Sequence, residues 1–102
     1  MNNDQSPIDP ASLQQTASQV LTVTVKSPGK TVFSGPAQAV TSTNEKGTFD
    51  ILPFHTNFIS LIKDTVIIHQ ENQKEMKITL QTGIIKVYED TVHILIGIGT
   101  KT

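Results

Sequence analysis

From Val20 onward the chain alternates apolar and polar residues with a period of two. Leu21, Val23 and Val25 interleave with Thr22, Thr24 and Lys26, the pattern of a half-buried strand. Ser27-Pro28-Gly29-Lys30 reads as a turn, because Pro fixes φ and Gly is free to take positive φ. A short strand is predicted over Thr31 to Ser34, broken by Gly35-Pro36. Ala37 to Thr43 continues extended, and Asn44-Glu45-Lys46-Gly47 forms a polar hairpin loop. Thr48 to Leu52 returns as a strand that Pro53 stops. Phe58 to Ile62 and Thr65 to His69 read as two apolar, β-branched strands joined at Lys63-Asp64. Glu71 to Lys74 is a turn. Met76, Ile78 and Leu80 alternate with Lys77, Thr79 and Gln81, and Thr82-Gly83 marks a bend or bulge. Ile85 and Val87 lead to a turn at Glu89-Asp90, and Val92, Ile94 and Ile96 form the last strand. Many short strands, frequent turn signals and no helical period give an all-β fold: a flattened antiparallel β-sandwich of short strands over residues 20–98. Residues 1–19, rich in Asn, Gln, Ser, Pro and Asp, are expected to be a flexible polar tail, and residues 99–102 a C-terminal tail.

Composition narrows the function. The 102 residues are the size of one domain, and the net charge of −1 comes with scattered lysines. No basic stripe exists to neutralise phosphates, which argues against nucleic-acid binding. The absence of cysteine removes disulfides, thiolate metal sites and thiol nucleophiles. No apolar run has the length needed to span a bilayer, and the N-terminus lacks the basic and apolar regions of a secretory signal. A cytoplasmic protein without direct membrane insertion is expected.

Motifs of chemistry fail on context. Gly29-Lys30-Thr31 mimics the end of a phosphate loop, yet Thr24 stands where its first glycine belongs and a strand follows. Gly97 and Gly99 lack a third glycine and a helix. No Gly-x-Ser-x-Gly elbow exists. His69 and His93 share no short ligand spacing and are expected on solvent faces. No catalytic, cofactor or metal residues are expected. Asp50, between Phe49 and Ile51, is either a solvent-facing acid or a charge offered to a partner.

The ordered motifs resemble one family. Ser27-Pro28, Phe33-Ser34-Gly35, Ala37 to Thr41, Gly47, Ile51-Leu52-Pro53-Phe54-His55, Leu61-Ile62, Thr82-Gly83-Ile84 with Val87, and Val92 to Leu95 follow each other as in the N-terminal β-sandwich of the epsilon subunit of rotary F-type ATP synthases. The family commonly has Gly at Asp50, Gly or Ala at Phe54, and a second Gly at Ile84. An acid often follows its loop glycine, where Thr48 stands here. Nothing in these residues matches the helical hairpin or ATP motif of bacterial members. The resemblance implies a non-catalytic central-stalk (rotor) subunit of the F1 sector, without the regulatory hairpin. Such a subunit couples the gamma (shaft) subunit to the membrane c-ring during proton- or sodium-driven ATP synthesis. It implies a place at the inner face of the cell membrane as part of that complex. Ring-contact candidates are Asn44, Glu45, Lys46, Thr48, Phe54 and His55; shaft-contact candidates are Thr56, Asn57, Phe58 and Ile59. The alternative is a stand-alone β-sandwich that binds peptide or sugar, which calls for a groove with exposed aromatics from Tyr88 or the Phe cluster.

Overall fold

The computed structural model describes residues 20–55 and 57–97. The tails expected at 1–19 and 99–102, and Thr56, lie outside the described residues. Seven strands follow in order: β1 (Leu21–Ser27), β2 (Lys30–Ala37), β3 (Ala39–Asn44), β4 (Gly47–Ile51), β5 (Phe58–His69), β6 (Glu75–Tyr88) and β7 (Thr91–Ile96). A 3-10 turn, Glu71–Gln73, joins β5 to β6. The strands hydrogen-bond in the spatial order β2-β1-β7-β6-β5-β3-β4.

One face of this sheet is apolar and the described residues include no α-helix to cover it, so the sheet folds over on itself. The long central strands make that possible. Ile62 pairs with Gly83 and Asp64 with Leu80, so Gln81 and Thr82 together face Lys63. This extra residue is a β-bulge, and it bends the strands and flips the inward parity of β6. Before it Ile78 and Leu80 point inward; after it Gly83, Ile85 and Val87 do. The bend anticipated at Thr82-Gly83 is therefore present. A second irregularity, between Ser42 and Thr43 of β3, leaves Asp64 and Thr65 extra on β5, and Asp64 has φ of 70°. The first half of β5 thus lies with the end of β6, β7, β1 and β2. Its second half lies with the start of β6, β3 and β4. Both layers feed one core of Leu21, Val23, Val25, Val40, Ile51, Ile62, Val66, Ile68, Leu80, Ile85, Val87, Val92 and Ile94. Ser42 is the polar residue buried among them, and its hydroxyl donates to the Thr65 carbonyl at 2.7 Å.

Three details differ from the sequence reading. Lys63-Asp64 does not separate two strands but bends a continuous one, because the left-handed Asp64 and the bulge opposite absorb the change in direction. Gly35-Pro36 does not break β2. That strand is at the sheet's edge, where a residue without an N–H can sit with its nitrogen toward solvent. The sandwich also has one parallel pairing, β1 with β7, since no hairpin ties those distant segments into an antiparallel register.

Candidate functional site

Loops from three places meet at one end of the molecule. The β3–β4 hairpin turns at Glu45-Lys46, with the Asn44 Oδ1 accepting from the Lys46 amide at 2.8 Å. Gly47 closes that turn at φ of 123°, a conformation side chains rarely adopt. The Asn44 Nδ2 donates to the Ser60 hydroxyl at 3.1 Å, which ties the hairpin to β5 in the other layer. Glu45, Lys46 and Thr48 are exposed.

The segment after Pro53 is held from several sides. The His55 amide donates to the Leu52 carbonyl at 3.1 Å, making a tight turn. Phe54 sits within it at φ of 69°, although it is a bulky residue, and its side chain is 72 % exposed. Such a conformation costs on the order of 1–2 kcal/mol and persists only where the surroundings enforce it. Here the Phe54 amide donates to the Asp90 carboxylate at 2.8 Å. The Asn57 Oδ1 accepts from the Glu89 amide at 3.0 Å, and the Thr22 amide donates to the Asp90 carbonyl at 2.8 Å. Two ring contacts complete the corner: Phe58 meets Phe49 edge-on at 5.4 Å, and His55 meets Phe58 edge-on at 5.8 Å. The structure therefore brings Phe54, His55, Asn57 and Phe58 together around the β6–β7 turn. The hairpin Asn44 to Thr48 stands beside them through Ser60.

The apolar residues that open β5, shortly after Pro53, divide by strand parity. Phe58 and Ile62 point inward, whereas Ile59 and Leu61 point out and are 67 % and 72 % exposed. Leu61 is opposite Ile84, and Ile84 opposite Leu95. These three form an exposed row across β5, β6 and β7, with Ile84 39 % and Leu95 53 % exposed. The next row runs Ile59, Lys86, His93. Contiguous apolar side chains on an outer sheet face mark a contact surface. Leu61, Ile84, Leu95, Asn57's anchor and the Asp90 clamp escaped the residue list drawn from sequence. Alternation does place Leu61 with Ile59, but the register joining β5 to β6 and β7 is a tertiary fact.

Other singled-out groups are elsewhere. Asp50 is on the outer face of β4, where its carboxylate accepts from the Thr41 hydroxyl at 2.5 Å. The same hydroxyl is 2.8 Å from the His69 Nε2, and the His69 Nδ1 is 3.2 Å from Glu75. Asp50 is thus tied into a cross-strand polar chain over β4, β3, β5 and β6. His69 and His93 face opposite ends of β6, beside Glu75 and Lys86. Among the described residues no group of three or more His, Cys, Asp or Glu side chains could hold a metal ion. A groove between β2 and the Glu71–Gln73 turn is lined by Phe33, Pro36, Gln70 and Lys74, with Phe33 its one aromatic ring.

The comparisons with known proteins agree with this architecture. The model of the ATP synthase delta/epsilon chain β-sandwich domain matches residues 20–98. The ATP synthase epsilon chain of Brevibacillus brevis is 33 % identical over 76 residues, 74 % of this chain and 58 % of that protein. The epsilon chain of Bordetella avium is 38 % identical over 76 residues, 74 % of this chain and 54 % of that protein. The chain thus spans between half and two thirds of the length of these curated relatives. In the Euglena gracilis mitochondrial ATP synthase (OSCP/F1/c-ring), one chain superposes with a TM-score of 0.72 at 16 % identity, over 76 % of this chain and 51 % of that one. A chain of the Tetrahymena thermophila mitochondrial ATP synthase central stalk/c-ring superposes with a TM-score of 0.63 at 13 % identity, over 76 % and 63 %. At such identities the two structures speak to the fold alone.

Proposed function

The chain belongs to the ATP synthase delta/epsilon β-sandwich family, and from that premise we propose that it is a non-catalytic central-stalk subunit coupling a shaft subunit to a membrane ring. The observation that carries the reading is the pairing of two unlike surfaces on one stiff body. One is the clamped loop end, with the strained, exposed Phe54 beside His55 and the hairpin Asn44 to Thr48. The other is the outer face, with the apolar row Leu61, Ile84 and Leu95 next to Ile59. They meet at Asn57 to Ile59.

In this reading the outer face, with Ile59 in it, seats the gamma-type shaft subunit, and the inward Phe58 supports Ile59 from behind. The loop end, with Asn44, Glu45, Lys46, Thr48, Phe54 and His55, rests on the polar loops of the c-type ring. Torque passes between the two because the bulged double layer resists twist: rotating one end against the other strains many ladder hydrogen bonds at once. The complex would use a proton or sodium gradient, and the subunit would sit at the membrane's inner face through its partners. The described residues include no helix long and apolar enough to cross a membrane.

The test is binding of the chain to the purified shaft subunit from the same genome, by interferometry. The expected result is saturable association at micromolar protein or tighter. A Leu61→Asp/Leu95→Asp double variant should keep its fold, since both side chains are exposed, and lose at least about tenfold in affinity. Absence of association by the wild type at micromolar concentration removes the reading.

A further inference from the structure

Lys86 is in the interior of the outer apolar face. Along β6 its outward neighbours are Ile84 and Tyr88; across the sheet it stands between Ile59 and His93. His93 is opposite Thr24 on β1, and Leu95 opposite Lys26. The three outward rows are therefore Ile59, Lys86, His93, Thr24; Leu61, Ile84, Leu95, Lys26; and Tyr88, Thr91, Thr22. No Asp or Glu occupies any of them. The Glu75 carboxylate lies in the other layer, 3.2 Å from the His69 Nδ1.

A lone exposed lysine keeps its ammonium in water while its stem lies along apolar neighbours. A partner that covers this face takes that water away. Removing an unpaired ammonium from water weakens binding unless an acceptor replaces the lost hydration. A second copy of this chain, meeting it through the same rows, offers no carboxylate from them.

We infer that the protein surface seated on this face presents a carboxylate to Lys86, with the His93 ring as a second donor, surrounded by apolar side chains that meet Leu61, Ile84 and Leu95. This deepens the shaft-binding reading and rests on it: it names the chemistry the shaft subunit must carry. Lys86 is then a specificity residue, which rejects a shaft surface lacking the acid.

The experiment measures binding of wild type, Lys86→Met and Lys86→Glu to the shaft subunit, each at low and high salt. Methionine keeps the length and apolar stem and drops only the charge. Lys86→Met is expected to weaken binding about tenfold or more and to flatten the salt dependence; Lys86→Glu is expected to weaken it further. Converting the surface acids of the shaft subunit one at a time to lysine should yield one variant that restores binding to Lys86→Glu. If wild type binds and Lys86→Met binds equally or better, this inference is overturned while the stalk reading stands. If Lys86→Glu is rescued by no acid reversal, it is overturned as well. If wild type itself fails to bind, the stalk reading fails first. Far-ultraviolet circular dichroism of both variants, expected to be unchanged, separates loss of contact from loss of fold.

Discussion

Gly83→Ala probes the bend on which the double layer depends. Gly83 is buried directly after the bulge of β6. A Cβ built there would be 2.8 Å from the Leu95 carbonyl oxygen, 2.9 Å from the Leu80 Cδ1 and 3.4 Å from the Ile62 Cγ1. The leucine methyl can swing away, but the carbonyl is backbone of the adjacent strand β7. Relief therefore requires β6 and β7 to part locally. Overpacking of this kind costs about 1–3 kcal/mol, and the gain from a stiffer unfolded chain returns about 0.4–1 kcal/mol. The net loss expected is about 1–1.5 kcal/mol. A domain of this size has total stability of about 5–10 kcal/mol, so the variant should still fold. Its Tm should fall by roughly 4–12 °C. Urea denaturation followed by circular dichroism measures the difference, with Gly35→Ala as control. There the added carbon meets only the Phe33 ring at 3.6 Å, an ordinary contact, and the change should stay within about 0.5 kcal/mol. A Gly83→Ala variant as stable as Gly35→Ala would refute the argument that the bulge packs β6 against β7 without room for a methyl group.

Other expectations follow from single contacts. Ile94→Ala should cost about 2–4 kcal/mol in urea denaturation, whereas Leu95→Ala, one residue along and facing out, should stay within about 0.5 kcal/mol; equal effects would reject the parity assigned to β7. Ser42→Ala strips the core of its hydroxyl and leaves the Thr65 carbonyl without that donor, a loss of about 1–2 kcal/mol. Asp90→Ala removes the acceptor of the Phe54 amide. Release of backbone strain at Phe54 offsets part of the lost bond, so stability should change by about 1 kcal/mol or less. Hydrogen exchange at the Phe54 amide should nevertheless accelerate, and Asp90→Asn, which keeps an acceptor, should retain most of the protection.

The strands were largely legible because each has one buried face, and period-two alternation reports that directly. β1, β7 and the second half of β6 show it plainly in Leu21-Val23-Val25, Val92-Ile94 and Ile85-Val87. The misreadings share a cause. Gly35-Pro36 and Lys63-Asp64 carry strong local turn chemistry, yet the edge position of β2 and the bulge opposite Lys63 let the strands run through. Local propensity yields where tertiary context relieves its cost. The loop end was visible in part: Pro53, Phe54 and His55 stand out in the sequence, but Asp90 reads as a plain turn residue. Its carboxylate matters only because folding carries it to an amide thirty-six positions away. The outer row depends in the same way on register between strands. Leu61, Ile84 and Leu95 are ordinary strand residues until they are aligned side by side.

The parallel contact between β1 and β7 joins the first strand of the sheet to its last. During synthesis, Val23 and Val25 leave the ribosome long before Val92 and Ile94 exist to cover that flank. The layer containing β1 and β2 therefore stays unsealed until translation is nearly over. Loop closure on this scale makes for slow folding, on the millisecond-to-second range of proteins rich in distant contacts. A chain cut short before Thr91 has no such seam, and its β1 keeps an unpaired flank where β7 would lie.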